Sequence, residues 1–192
     1  MATTVVKKET KTWKTLTDDR VIGIINKCIE EVSEMGYKVP AGIKFKTFKS
    51  VKTFGICSYR EHALVLNEQL LKEDENCIRN TVMHELAHFI AGSKAKHGPE
   101  WKKVANRISV ETGLNISRTN SFETHPEVAK YREENIKYIF KCRGCGCTLK
   151  YTKRTEFVRT YADTFENFRG EKKPRWTCTR CGNTFEMVKG EK

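Results

Sequence analysis

Apolar residues recur at helical spacing from about Thr17 to Met35, with Val21, Ile25, Cys28, Ile29 and Val32 on one stripe. Thr17 or Asp18 is placed to cap this helix and Gly36 to end it. Apolar and polar residues then alternate over Ile43–Phe48, the period of a half-buried strand, and Phe54–Tyr59 and Ala63–Leu66 are two further strand candidates. Glu68–Asn76 reads as a short helix or turn. From Asn80 the pattern changes character. Val82, Met83, Leu86, Ala87, Phe89 and Ile90 surround the helical circumference, which predicts a helix buried on nearly all sides and ending at Ala91-Gly92. Pro99 opens a last long helix, with Trp101, Val104, Ala105 and Ile108 on its apolar stripe and Gly113 as its stop. Residues 1–14 read as a polar lead-in.

The buried helix carries His84-Glu85-Leu86-Ala87-His88. Residues four apart share a helix face, so both imidazoles can reach one ion, and H-E-x-x-H is a zinc-site signature. A catalytic zinc takes three protein ligands and leaves a position for water, whose pKa it lowers toward roughly 7. Glu85 is then the general base on that water, which attacks a peptide carbonyl. The third ligand is less directly readable. His97 lies where the chain reverses between two helices. Glu100 or Glu111 on the following helix is the alternative, and the spacing from His88 to His97 is too long for H-E-x-x-H-x-x-G-x-x-H. His125 is read as a surface or capping histidine, and neither it nor Tyr131 receives a catalytic role.

A second metal signature lies downstream. Cys142-Arg143-Gly144-Cys145-Gly146 and Cys178-Thr179-Arg180-Cys181-Gly182 are two C-x-x-C-G knuckles, the pattern of a four-thiolate structural zinc. Cys147 is a spare thiol that competes with Cys145. The stretch between the knuckles is longer than usual and implies an extended hairpin or an inserted loop. Its basic and aromatic residues interleave, among them Tyr151, Arg154, Arg159, Arg175 and Trp176. That mixture suits single-stranded nucleic acid, because cations neutralise phosphates while rings stack on bases. Some of the rings must also form the small core of this segment.

The 192 residues carry a net charge of +12, of which 14 Lys+Arg against 6 Asp+Glu over 136–192 supply +8. A polyanionic partner is therefore expected at the C-terminal third. No apolar run approaches the ~18–20 residues needed to span a bilayer, and no leader pattern opens the chain. Eight cysteines in that context point to thiols and metal ligands in a reducing, intracellular compartment, cytoplasm or nucleus, rather than to secretion.

HELAH followed by His97-Gly98-Pro99-Glu100-Trp101 resembles the SprT-like zinc metalloproteases, including the Spartan branch that cleaves proteins crosslinked to DNA. Leu66-Asn67 before Leu70-Leu71, the stretch Gly113-Leu114-Asn115-Ile116-Ser117 and the paired C-x-x-C units extend the resemblance from about Leu16 onward. It implies His84, His88 and His97 as ligands, Glu85 as base, and an edge strand (the one ending at Asn67 or its neighbour) that pairs with substrate. It also implies two zinc ions, one catalytic and one structural, and DNA-dependent cleavage of DNA-bound or crosslinked protein by a monomer, often with self-cleavage. The expected fold class is α+β: a zincin-like metalloprotease domain at 15–135, helices on a small, mostly antiparallel sheet, then a four-cysteine zinc-ribbon subdomain at 136–192. Without the partner-binding tail of eukaryotic relatives, a compact bacterial or viral version is expected. The rival from another class is a non-catalytic nucleic-acid-binding zinc adaptor.

Overall fold

A computed structural model of the chain describes residues 13–119 and 122–190, so most of the polar lead-in lies outside the described residues. The protein is α+β and divides near Lys130 into two compact units.

The first unit opens with a short strand β1 (Lys14–Thr15) and helix α1 (Asp19–Glu34). Asp18 caps α1 by accepting from the Val21 amide at 3.1 Å, and Val21, Ile24, Ile25, Cys28 and Val32 form its buried face. Strands β2 (Lys44–Phe48), β3 (Gly55–Ser58) and β4 (Ala63–Asn67) follow, then a one-turn 3-10 helix at Leu70–Lys72. Helix α2 (Glu75–Ala91) and helix α3 (Pro99–Thr112) come next, and a short helix α4 (Pro126–Glu134) ends the series.

The sheet order is β1-β2-β4-β3, with β2 and β4 parallel and the other two pairings antiparallel. The strand ending at Asn67 is therefore interior, with every residue buried, and its neighbour β3 takes the edge. An interior strand has both sides committed to hydrogen bonds, so only β3 or β1 can offer a free backbone. Asn67 also explains the Leu-Asn pair seen in the sequence. Its side-chain amide donates to the carbonyls of Ser50 (2.7 Å) and Thr53 (2.8 Å), fixing the loop that feeds β3.

Helix α2 packs against α1, α3, β3 and β4, which buries its stretch from Thr81 to Ala87 on all sides. Leu64, Leu66, Ile78, Met83, Leu86 and Ile108 are fully buried around it. Each such side chain contributes about 1.5–3 kcal/mol by leaving water. Asp74 caps the start of α2 through the Cys77 amide, and Gly92 at φ 86° ends it as anticipated. Arg79 clamps Glu31 of α1 with two 2.8 Å hydrogen bonds, locking the two helices in register.

The second unit is a three-stranded antiparallel sheet, β6-β5-β9, formed by β5 (Tyr138–Cys142), β6 (Thr148–Tyr151) and β9 (Phe185–Lys189). The long insertion is both a helix and a hairpin: α5 (Glu156–Thr160), then β7 (Thr164–Glu166) paired with β8 (Lys172–Pro174). Phe140, Val158 and Phe185 form its core with Cys142 and Cys178.

Candidate metal centres and nucleic-acid surface

The histidine site starts from the geometry of α2. His84 and His88 are one turn apart on the helix, and the turns after Gly92 bring His97 back over them. The Ala95 amide donates to the Gly92 carbonyl at 3.1 Å, and the Gly98 amide to the Ala95 carbonyl at 2.8 Å. Lys96 sits at φ 48°, a rare conformation for a lysine, immediately before His97. As a result the Nε2 atom of His97 lies 3.1 Å from Nε2 of both His84 and His88. Zn–N bonds of 2.0–2.1 Å at tetrahedral angles separate the nitrogens by roughly 3.3–3.4 Å, so the three imidazoles fit a zinc ion with one position left over. Glu100 and Glu111 are not in this ligand group.

Two neighbours aim the rings. The Ser117 carbonyl accepts from Nδ1–H of His84 at 2.9 Å, which leaves the Nε2 lone pair for the metal. Trp101, 2% exposed, packs against all three imidazoles with ring centroids 4.7–5.5 Å away. It is a core anchor, as its stripe predicts, and also the floor of the histidine cluster. Burial pushes His84 and His88 down to about 4, and it lowers His97 with help from the Arg118 charge. Burial thus favours in all three the neutral form that a metal ligand needs.

Glu85 lies next to these histidines and is 6% exposed. Burial raises its carboxyl to about 8, while hydrogen bonding from the Cys57 amide of β3 acts in the opposite direction. Tyr59, at the end of the same strand, donates its hydroxyl to the His88 carbonyl. His125 is not part of the cluster. It is 1% exposed rather than at the surface, packs on Phe54 at 4.5 Å, and accepts from the Ala129 amide as the residue capping α4. The surface expectation fails because Phe54 and Thr81 enclose the ring.

In the second unit the two knuckles face one another. Gly146 and Gly182 adopt φ 72° and 74°, which permits the tight turns whose amides donate back to the Cys142 and Cys178 carbonyls. The Sγ atoms of Cys142, Cys145, Cys178 and Cys181 all lie within 4.8 Å of one another, with 3.4 Å between Cys142 and Cys181 and 3.7 Å between Cys145 and Cys178. Four Zn–S bonds of about 2.3 Å place thiolates roughly 3.8 Å apart, so this set also fits zinc. Cys147 lies 3.5 Å from Cys178 and remains a neighbour of the set. All eight cysteines are free thiols.

Beside the knuckles, Tyr151 stacks on Phe157 at 5.3 Å, and Phe157 meets Trp176 edge-on at 5.6 Å. Tyr151, Phe157 and Trp176, with Leu149, Thr179 and Arg180, line a cleft of about 420 Å³. Trp176 is held by its indole N–H, which donates to Thr160 at 2.9 Å. Arg154 and Arg159 are exposed, whereas Arg175 pairs with Glu156 and overlies Trp176. Tyr151 and Phe157 pack against the small core of the unit, as one of the two sequence readings expects.

Comparison with known proteins decides the family, because the SprT-like family profile matches residues 25–120. The chain belongs to the SprT-like family. Protein SprT of Pseudomonas savastanoi pv. phaseolicola is 31% identical over 134 residues, 66% of this chain and 69% of that protein. A protein named DNA-dependent metalloprotease SPRTN in Xenopus tropicalis is 35% identical over 101 residues, 47% of this chain but 22% of its own length. The human SPRTN is 34% identical over 101 residues, again 47% of this chain and 19% of its own. No solved structure matches the chain. The SprT-like match covers the histidine site, and the cysteine knuckles lie beyond it. Among the described residues no helix is long and apolar enough to cross a membrane.

Proposed function

We propose that this SprT-like protein is a zinc-dependent endopeptidase that acts inside the cell on proteins held on DNA, crosslinked proteins included. The observation that carries the reading is the convergence of three neutral imidazoles on one point, with a buried carboxylate on the intervening residue of the same helix. A zinc ion held by His84, His88 and His97 supplies Lewis acidity to water and to a peptide carbonyl. Glu85 takes the proton of the attacking water and hands it to the departing amide nitrogen. The edge strand β3 offers backbone to an extended peptide beside Glu85.

The Cys142, Cys145, Cys178 and Cys181 set holds the second zinc as a structural ion, and the ribbon it organises binds DNA. Tyr151 and Trp176 present rings to unpaired bases, and Arg154 and Arg159 meet phosphates, with Arg175 steadying Trp176. DNA then concentrates protein substrate at the histidine site, so location rather than sequence selects the target. The names of the vertebrate relatives support the DNA-dependent part of this reading.

The test uses the full chain as a monomer, a DNA-bound protein and single-stranded DNA. Wild type is expected to hold two zinc ions and to cleave when DNA is present. Glu85→Gln should keep both ions and cleave at least ~10²-fold more slowly. Equal cleavage by the two proteins overturns the assignment of Glu85. DNA binding without any cleavage by the zinc-loaded wild type would instead establish the adaptor reading.

A further inference from the structure

The edge strand β3 also meets the residue that follows the first histidine of α2. The Asn67 amide donates to the Phe54 carbonyl at 2.8 Å, so Phe54 and Asn67 are a hydrogen-bonded pair of the β3–β4 ladder. Antiparallel ladders alternate, which turns the backbone groups of Ile56 and Ser58 toward β4 and those of Gly55 and Cys57 away from it. Glu85 of α2 lies against the helix-facing side of the strand at Gly55. A Cβ at Gly55 would lie 2.8 Å from Glu85 Oε1, 2.9 Å from Glu85 Cγ and 2.9 Å from Thr81 Cγ2. The φ of Gly55 is outside the left-handed region, so backbone conformation does not call for glycine here. Space does. Two positions on, the Cys57 amide, free of β4, acts on the same carboxyl and favours its charged form.

We propose that Gly55 and the Cys57 backbone N–H form a seat for the Glu85 carboxylate, and that Gly55 is a positioning residue for catalysis. The bare Cα lets the carboxyl lie against the strand, and the amide fixes which oxygen turns toward the histidine cluster. Strand and helix thereby set the base within the narrow tolerance that proton transfer demands. Because the same edge borders the path of an extended peptide, the seat also fixes the base relative to the bound chain. This proposal rests on the reading of Glu85 as general base and extends it to a second element of the fold.

Three variants of the zinc-loaded full chain test it: Gly55→Ala, Thr81→Ser and the two combined. Gly55→Ala should retain two zinc ions and KM while kcat falls about 10²-fold, the cost of misplacing a reacting group by about an ångström. Thr81→Ser removes the Cγ2 contact yet keeps the hydroxyl, so alone it should behave as wild type. It should not restore Gly55→Ala, because Glu85 remains in the way. Recovery of kcat in the double variant would make Gly55 a plain helix–strand packing position and overturn the proposal, as would an unchanged kcat in Gly55→Ala. A second arm needs neither activity nor a new side chain at Gly55. In metal-free protein the Cys57 amide resonance should move by several tenths of a proton ppm or more between wild type and Glu85→Ala; an unmoved resonance shows there is no seat. If wild type fails to cleave while that resonance moves, the seat stands and the endopeptidase reading falls.

Discussion

The turn that returns His97 to the cluster is the most sensitive point of the histidine site, and Gly98→Ala probes it. The φ of Gly98 is −76°, open to any residue, so the substitution introduces no backbone strain of its own. The added Cβ, however, would lie 2.9 Å from the Ala95 carbonyl oxygen. Carbon and carbonyl oxygen need roughly 3.3 Å. The turn must therefore open by about 0.4 Å, stretching the 2.8 Å hydrogen bond that closes it. Lys96 is already in a sparsely populated conformation, so little slack is available next to His97. Metal–ligand distances tolerate only about 0.2 Å, less than the displacement imposed. Zinc affinity at the histidine site should fall about 10–100-fold, or ~1.4–2.7 kcal/mol. Competition with a chromophoric chelator measures this in the full chain, and the ribbon zinc serves as the internal control. Wild-type affinity in Gly98→Ala would refute the claim that this turn sets the position of His97.

Two other outcomes follow from the titratable groups and the thiols. In protein stripped of the histidine-site metal, His84 and His88 fold with values near 4 against 6.5 unfolded, so their share of stability is lost as pH falls below 6.5. Glu85 folds near 8 against 4.5, so its share is lost as pH rises toward 8. Stability to urea should therefore peak near pH 6.5, and Glu85→Gln should flatten the alkaline side; a peak that keeps both flanks in that variant contradicts the assignment. At the ribbon, Cys145→Ser should release zinc to a chelator faster than Cys147→Ser, because Cys145 belongs to the mutually close set of four. The reverse order would make Cys147 the ligand.

Much of this architecture was legible because its signals are local. Asp18, Gly92, Pro99 and Gly113 mark helix ends through their own side chains or conformations, and the structure puts ends there. The two C-x-x-C-G units likewise carry their turn geometry within five residues. The edge position of β3 was not readable with the same certainty, since strand order comes from pairings between distant segments. Ser117 was beyond reach as a partner of His84, because the atom involved is a backbone carbonyl that every residue possesses. Trp101 showed its buried face but not that three imidazoles share it. Gly55 did leave a trace. A glycine inside a strand pattern signals close approach by another group, although the sequence does not name the group.

The placement of the tryptophans gives the protein its own optical readout. It has three: Trp13 near the Lys46 ammonium, Trp101 beneath the imidazoles and Trp176 in the ribbon wall. With Trp13 replaced by Phe, the remaining emission would come from one indole beside the histidines and one in the ribbon, where the proposed function has bases settle. Loading of the histidine site and the proposed capture of DNA would then be followed separately in one cuvette, without any attached dye.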